Sequence, residues 1–259
     1  MISCSQEGPT TMVAYFRQDL SDSRFDQCDL ARSRFHNSYF TDAKLSGVWL
    51  ERVDISGVLI DVTVNGVDIG PLVEAELDRR HPERALLSPT DPAGFAESWT
   101  MIEGLWAGTV ERARRLPEAA LHERVDLEYC FLETLRHLIF ATDAWIGRMV
   151  LGERQPFSPI GVAHDENDIE LPLDPTADPD LDEVLVVRAE RMAKVRSVIE
   201  SVTTEELDEV RRPDEDDGYP PADAVRPVGE CLRTILREEW HHHQFAVRDL
   251  AVLEQRQAS

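Results

Sequence analysis

Residues 237–250 read REEWHHHQFAVRDL: two adjacent glutamates, then three consecutive histidines. Around them Leu232, Ile235, Leu236, Trp240, Phe245, Val247, Leu250 and Leu253 recur at helical spacing, which predicts one long amphipathic helix over residues 226–255. Residues four apart on a helix lie one above the other, so Glu239 and His243 can face a common ion while His241 turns away. A pair of this kind supplies two metal donors and needs a third from a facing helix. His137 is the candidate, because it sits among Leu135, Leu138 and Ile139 in the apolar segment EYCFLETLRHLIFATDAWIGR, residues 128–148. His137, Glu239 and His243, with a fourth position left to water, would form the open coordination expected of a catalytic divalent ion. Glu238 and His242 then stand behind the ligands, as groups that orient them or exchange protons. The competing account makes His137 a core histidine and the triplet a solvated run.

Working outward, residues 93–255 carry four stretches with the 3.6-residue period, at roughly 93–115, 126–151, 181–202 and 226–255. Phe95, Trp99, Ile102, Leu105, Trp106 and Val110 stripe the first stretch. Leu185, Ala189, Met192, Val195 and Ile199 mark the expected inner face of the third. Two long acidic, proline-containing connections, 152–180 and 211–227, interrupt the series, and such lengths suggest crossovers or covers over a site. His164 lies in the first of them and reaches the centre only if that loop folds over it. Four long helices with long crossovers make a bundle of the type that builds metal sites from inward-facing side chains.

The N-terminal part obeys a different period. From residue 16 the chain divides into fives, FRQDL SDSRF DQCDL ARSRF HNSYF TDAKL SGVWL ERVDI SGVLI. The fifth position is always large and apolar, from Leu20, Phe25 and Leu30 through Phe35, Phe40, Leu45, Leu50 and Ile55 to Ile60. Two residues earlier the side chain is mostly small. Five matches neither helix nor strand, but it suits a solenoid whose large and small positions point inward. In this stretch the sequence resembles the pentapeptide repeats, which implies a short right-handed β-solenoid. Residues 65–92 follow as a turn at Asn65 and Gly66, a short helix ending before Pro82, and a linker over 84–92. The domain expectation is therefore 16–64, 65–92 and 93–255.

A net charge of -23, from 27 basic and 50 acidic side chains, argues against nucleic acid and against anionic membrane as partners. No apolar run is long enough to span a bilayer, and the opening residues have no signal-peptide pattern, so the cytoplasm is the expected location. Cys4, Cys28, Cys130 and Cys231 are too scattered for a disulfide framework or a thiolate zinc site.

Residues 128–148, ILREEWHHHQFAVRDLAVLE at 235–254 and, less specifically, VNGVDIGPLVEAELDRRHPER at 64–84 resemble the DinB-like metal-dependent superfamily. The resemblance implies an all-α four-helix bundle in up-down-down-up order. It also implies a three-ligand zinc or nickel site, mapped here onto His137, Glu239 and His243. Many relatives have histidine at the position of Glu239, whereas the mycothiol-dependent maleylpyruvate isomerases have an acid there. The implied function is a metal-dependent thiol transferase or isomerase acting on a small electrophile, with mycothiol as candidate cosubstrate and Arg136 and Arg148 as candidate carboxylate holders. A hydrolase is one alternative. A non-catalytic metal-stapled stress or protein-interaction module is the other, and a small-molecule substrate and a homodimer are the partners expected.

Overall fold

The computed structural model describes residues 14–163, 171–215 and 217–258. The chain divides into two compact units between Glu51 and Arg52.

In the N-terminal unit and its continuation the backbone keeps the five-residue period. Arg17, Asp22, Gln27, Arg32, Asn37, Asp42, Gly47, Arg52 and Gly57 all have positive φ. Gly47 and Gly57 adopt this left-handed geometry without a Cβ clash, and Asp and Asn tolerate it better than most residues. Turns close with Ser23 N to Leu20 O, Ser33 N to Leu30 O and Ala43 N to Phe40 O, one per ten residues. No strand occurs among described residues before Thr63. The fifth-position side chains are not enclosed as the repeat leads one to expect: exposure runs from 44% at Leu20 to 75% at Ile60. Phe35 and Phe40 do meet edge to face, with centroids 5.4 Å apart. Nine units are too few to give each apolar side chain neighbours on all sides.

The Asn65–Gly66 turn forms as expected, both residues at positive φ, joining strands β1 (Thr63–Val64) and β2 (Val67–Asp68) in an antiparallel pair. Helix α1 (Gly70–Arg80) follows with Pro71 in its first turn. The expected linker is partly structured: Pro82–Leu87 is a 3-10 turn that buries Leu87 in the main core.

Helix α2 (Pro92–Ala113) starts where Asp91 accepts a hydrogen bond from Gly94 N. The short α3 (Glu118–Leu121) leads to α4 (Phe131–Thr142), which continues as a π-helical segment, Asp143–Val150. The second long helix thus begins later than its apolar pattern suggests. Asp126 and Leu127 have positive φ, and Cys130 with Glu133 forms a capping box that fixes the true start. Helix α5 (Leu181–Ser201) opens on a second capping box, Asp180 with Glu183, and the short α6 (Thr204–Leu207) on a third. Strands β3 (Val210–Arg211) and β4 (Arg226–Pro227) pair antiparallel, closing the second long connection before α7 (Val228–Gln257).

Helix α2 packs on α5 and α7, and α4 packs on the same two, so α5 and α7 lie diagonally across the bundle. Phe95, Trp99 and Ile102 of α2, Leu135 and Ile139 of α4, Val184 and Val195 of α5, and Leu232 and Ile235 of α7 are all buried in one core. Each contributes on the order of 1.5–3 kcal/mol by leaving water. On α5 the inner stripe differs from expectation, since Ala189 is exposed and Arg188 is buried instead.

Candidate metal centre

Helix α7 carries two Glu-x-x-x-His pairs one residue apart, and the fold sends them in different directions. One helical residue is about 100° of rotation, so adjacent pairs cannot share a neighbour. Glu238 and His242 turn toward α4. There the donor atoms of His137, Glu238 and His242 lie within 4.8 Å of one another, among described residues the sole cluster of three His, Cys, Asp or Glu groups so disposed.

The geometry suits a cation. His137 is fully buried, and its Nδ1 lies 3.0 Å from the Val162 carbonyl oxygen. That carbonyl can only accept, so Nδ1 donates to it and Nε2 is the ring nitrogen left to face the cluster, the second-layer arrangement common to metal-binding imidazoles. Nε2 faces Glu238 Oε2 at 3.6 Å, and His242 Nε2 approaches the same oxygen at 3.3 Å. Burial opposes the charge on Glu238, but the two imidazoles outweigh it and hold its carboxyl well below the ordinary range. The donor set is thus one carboxylate and two imidazoles, a combination typical of zinc and nickel.

Aromatic rings wall the cluster. Tyr129 lies 5.5 Å from His137 and 6.5 Å from His242, Phe140 lies 6.1 Å from His137, and Phe245 meets His242 edge-on at 6.0 Å. The chain from Phe157 to Ala163 is strapped over α4 by four hydrogen bonds besides that of His137. Asp143 accepts from Ser158 N at 2.9 Å, Arg136 Nε donates to Ile160 O at 2.7 Å, Val162 N to Arg136 O at 3.3 Å, and the Tyr129 hydroxyl to Ala163 O at 3.2 Å. Asp143, itself fully buried, also pairs with Arg191 of α5 at 2.6 Å, and burial nonetheless raises its carboxyl above the ordinary value. His164 lies outside the described residues.

The expected partners Glu239 and His243 are buried elsewhere, so the cluster is displaced by one residue from the spacing-based expectation. Glu239 forms an ion pair with Arg188 across the bundle diagonal, and the two are 1% and 3% exposed. Arg188 also lies over the Trp106 ring, 5.9 Å from its centroid. His243 Nε2 is 2.8 Å from the Thr109 hydroxyl, and its ring meets Trp106 edge-on at 5.2 Å. Burial pushes the Glu239 carboxyl up despite the guanidinium, and lowers the His243 imidazole. His241 is exposed, as its phase demands.

Arg188 escaped the sequence reading. The signal that marks it is its phase, four residues after Val184 and seven before Val195 on the buried stripe. The two expected carboxylate holders are otherwise engaged. Arg136 anchors the strap. Arg148, 2% exposed, donates to the carbonyls of Arg154, Glu215 and Pro220 and to Asp217, tying down the second long connection. Cys130 and Cys231 are buried thiols pushed up to about 11, far from reactive.

A helical bundle with a half-buried acid-imidazole cluster between its second and fourth long helices defines the class. Residues 101–246 match the DinB superfamily, and the chain belongs to it. Residues 19–57 match pentapeptide repeats in eight copies. Searches of curated proteins and of solved structures return no match. Among described residues no helix is long and apolar enough to cross a membrane.

Proposed function

We propose that His137, Glu238 and His242 are the three protein ligands of a divalent metal, zinc or nickel, and that the centre serves thiol-dependent transfer or isomerisation of a small electrophile. The observation that carries this reading is the convergence of three donors from two helices within 4.8 Å. An ion bound there would act as a Lewis acid and lower the pKa of a thiol or water. The protein's own groups do the rest. The Val162 carbonyl orients the His137 ring, the two imidazoles keep Glu238 ionised, and Tyr129 and Phe140 exclude solvent from one flank. The acid at Glu239, where many relatives have histidine, favours the thiol-using branch, with mycothiol as the cosubstrate that branch suggests. Hydrolysis is the alternative chemistry for the same ligands.

The finer architecture belongs to the same proposal. Arg114–Asp182 and Arg196–Glu103 match opposite ends of α2 and α5, Arg112–Glu254 and Arg233–Pro89 match like ends of α2 and α7, and these pairings support an up-down-down-up order. The left-handed residue at each fifth position supports a right-handed solenoid over the repeats. We keep 16–64, 65–92 and 93–255 as the domain limits.

The test is metal analysis of untagged protein, with and without His137→Ala, joined to thiol-dependent consumption of a chromogenic electrophile. About one ion per chain, lost in the variant together with turnover, is the expected result. Full metal content in His137→Ala would overturn the ligand assignment. A second reading rests on the exposed apolar positions of the repeats: a metal-stapled interaction module that pairs with a second copy of the chain. Metal binding without turnover, in a protein that sediments as a dimer, favours it.

A further inference from the structure

Two tyrosines flank the candidate centre, and their hydroxyls have different fates. Tyr129 spends its hydroxyl on the Ala163 carbonyl, 3.2 Å away, and so belongs to the strap. Tyr219 stacks on Phe140 with centroids 5.8 Å apart, and meets Trp145 edge-on at 6.2 Å. Phe140 in turn lies 6.1 Å from His137, so the Tyr219 ring forms the next layer of the same wall. Its hydroxyl has no hydrogen-bond partner among the described residues, although the residue is half-buried and its neighbours are mainly aromatic. A half-buried phenol is normally paired, and an accessible unpaired one in the aromatic layer behind His137 is suited to a ligand.

The position of Tyr219 is not an accident of a loose loop. The buried Arg148 guanidinium holds the preceding and following carbonyls, Glu215 O and Pro220 O, and the Asp217 carboxylate. Gly218 lies so close that an added Cβ would sit 2.9 Å from Arg148 Cζ, which fixes how the chain passes the guanidinium. The charge on Glu238 reaches the Tyr219 hydroxyl, and with burial as the larger cause the phenol is pushed up, while Arg226 opposes both. Tyr219 therefore remains a neutral O–H donor at physiological pH.

We propose that Tyr219 is a ligand-recognition residue: its hydroxyl donates a hydrogen bond to the anionic sulfur or oxygen of a small molecule taken up beside His137, Glu238 and His242. This rests on the metal-centre reading and deepens it, because it assigns the residue that distinguishes an anionic ligand from a neutral one. Tyr219→Phe removes the oxygen alone and keeps the ring stacked on Phe140.

The experiment loads the full-length protein and Tyr219→Phe with cobalt(II) and follows the visible spectrum. Azide and 2-mercaptoethanol are titrated in separately, the first testing an anion in general and the second a thiolate. The expected result is unchanged cobalt affinity and roughly tenfold weaker binding of one or both probes in the variant, the size of a hydrogen bond to a charged group. A larger loss for 2-mercaptoethanol than for azide identifies sulfur as the atom recognised. Equal probe affinity in the two proteins overturns the inference while leaving the metal centre intact. Loss of cobalt binding in Tyr219→Phe also overturns it, since the hydroxyl would then belong to the centre or the fold. Failure of the unmodified protein to bind cobalt removes the metal reading and this one with it.

Discussion

The two acid-histidine pairs of α7 have the same chemistry and opposite environments. Glu238 and His242 look toward one buried imidazole and an aromatic wall, with exposure retained at both side chains. Glu239 and His243 are driven into the bundle interior, where a guanidinium and a hydroxyl answer them. The carboxyls respond in opposite senses, Glu238 held down by two imidazoles and Glu239 pushed up by burial. Neighbouring titratable groups whose environments separate them in this way divide labour: one keeps its charge available, and the other has its charge consumed by the fold. The lesson is that a motif's residue types do not decide which copy meets His137. The rotation of the helix in its packing does.

The largest effect expected belongs to the interior pair. Arg188→Ala leaves Glu239 buried without its counter-charge and should cost about 3–5 kcal/mol. For a chain of this length that is roughly a 6–20 °C drop in melting temperature. Replacing both partners with apolar side chains, Arg188→Met with Glu239→Leu, should recover most of the loss, because no lone charge remains. Thermal unfolding of the metal-free proteins checks both. If Arg188→Ala unfolds like the parent protein, the interior pair is not the structural member of the comparison.

Metal affinity separates the faces next. Removing a group behind a ligand typically weakens binding about 10–100-fold, so loss of a ligand itself, in His137→Ala or Glu238→Gln, should cost at least about a hundredfold. A matching substitution on the other face, Glu239→Gln, should change zinc affinity by no more than a few-fold once the protein is shown folded. Competition with a chromogenic chelator measures both. Equal losses on the two faces would break the distinction.

Much of this was legible in the sequence, and the exceptions have physical causes. The four helices, the Asn65–Gly66 turn, the five-residue period and the inward placement of His137 on the second long helix all follow from local pattern. Which α7 pair faces His137 did not. Two glutamates followed by three histidines offer two i,i+4 pairs, and the apolar stripe of α7 is wide enough to leave both near its edge. Choosing between them needs the rotation of the helix, which is set by packing on α2 and α4. Arg188 of α5, 51 residues before Glu239, engages the other pair through a contact that no local pattern contains. The π-helical segment Asp143–Val150 escaped for the same reason, since its apolar spacing over so few turns reads as α-helix.

A smaller effect sharpens the interior face. Thr109→Val keeps the side-chain shape but leaves His243 Nε2 without the oxygen 2.8 Å away. The expected cost is about 1–3 kcal/mol, seen as a lower denaturation midpoint with an unchanged slope. Zinc affinity should not move, because His243 is not among the three converging donors.

Acid titration gives the finest division between the faces. Burial lowers the His243 imidazole below its ordinary 6.5, so the unfolded chain takes up that proton first. The contribution of His243 is complete above pH 6.5 and is lost as pH falls through its folded value. Glu238 is depressed below 4.5 in spite of burial, so its contribution is complete above that pH and is lost only in stronger acid. Glu239 acts oppositely: its raised carboxyl makes folding less favourable as pH climbs past 4.5. Metal-free protein should therefore weaken in two acid steps, each removable by its own substitution, His243→Gln for the first and Glu238→Gln for the second. Denaturant midpoints measured from pH 8 to pH 3 resolve them. A single step that survives both substitutions would mean that the two faces titrate through other groups.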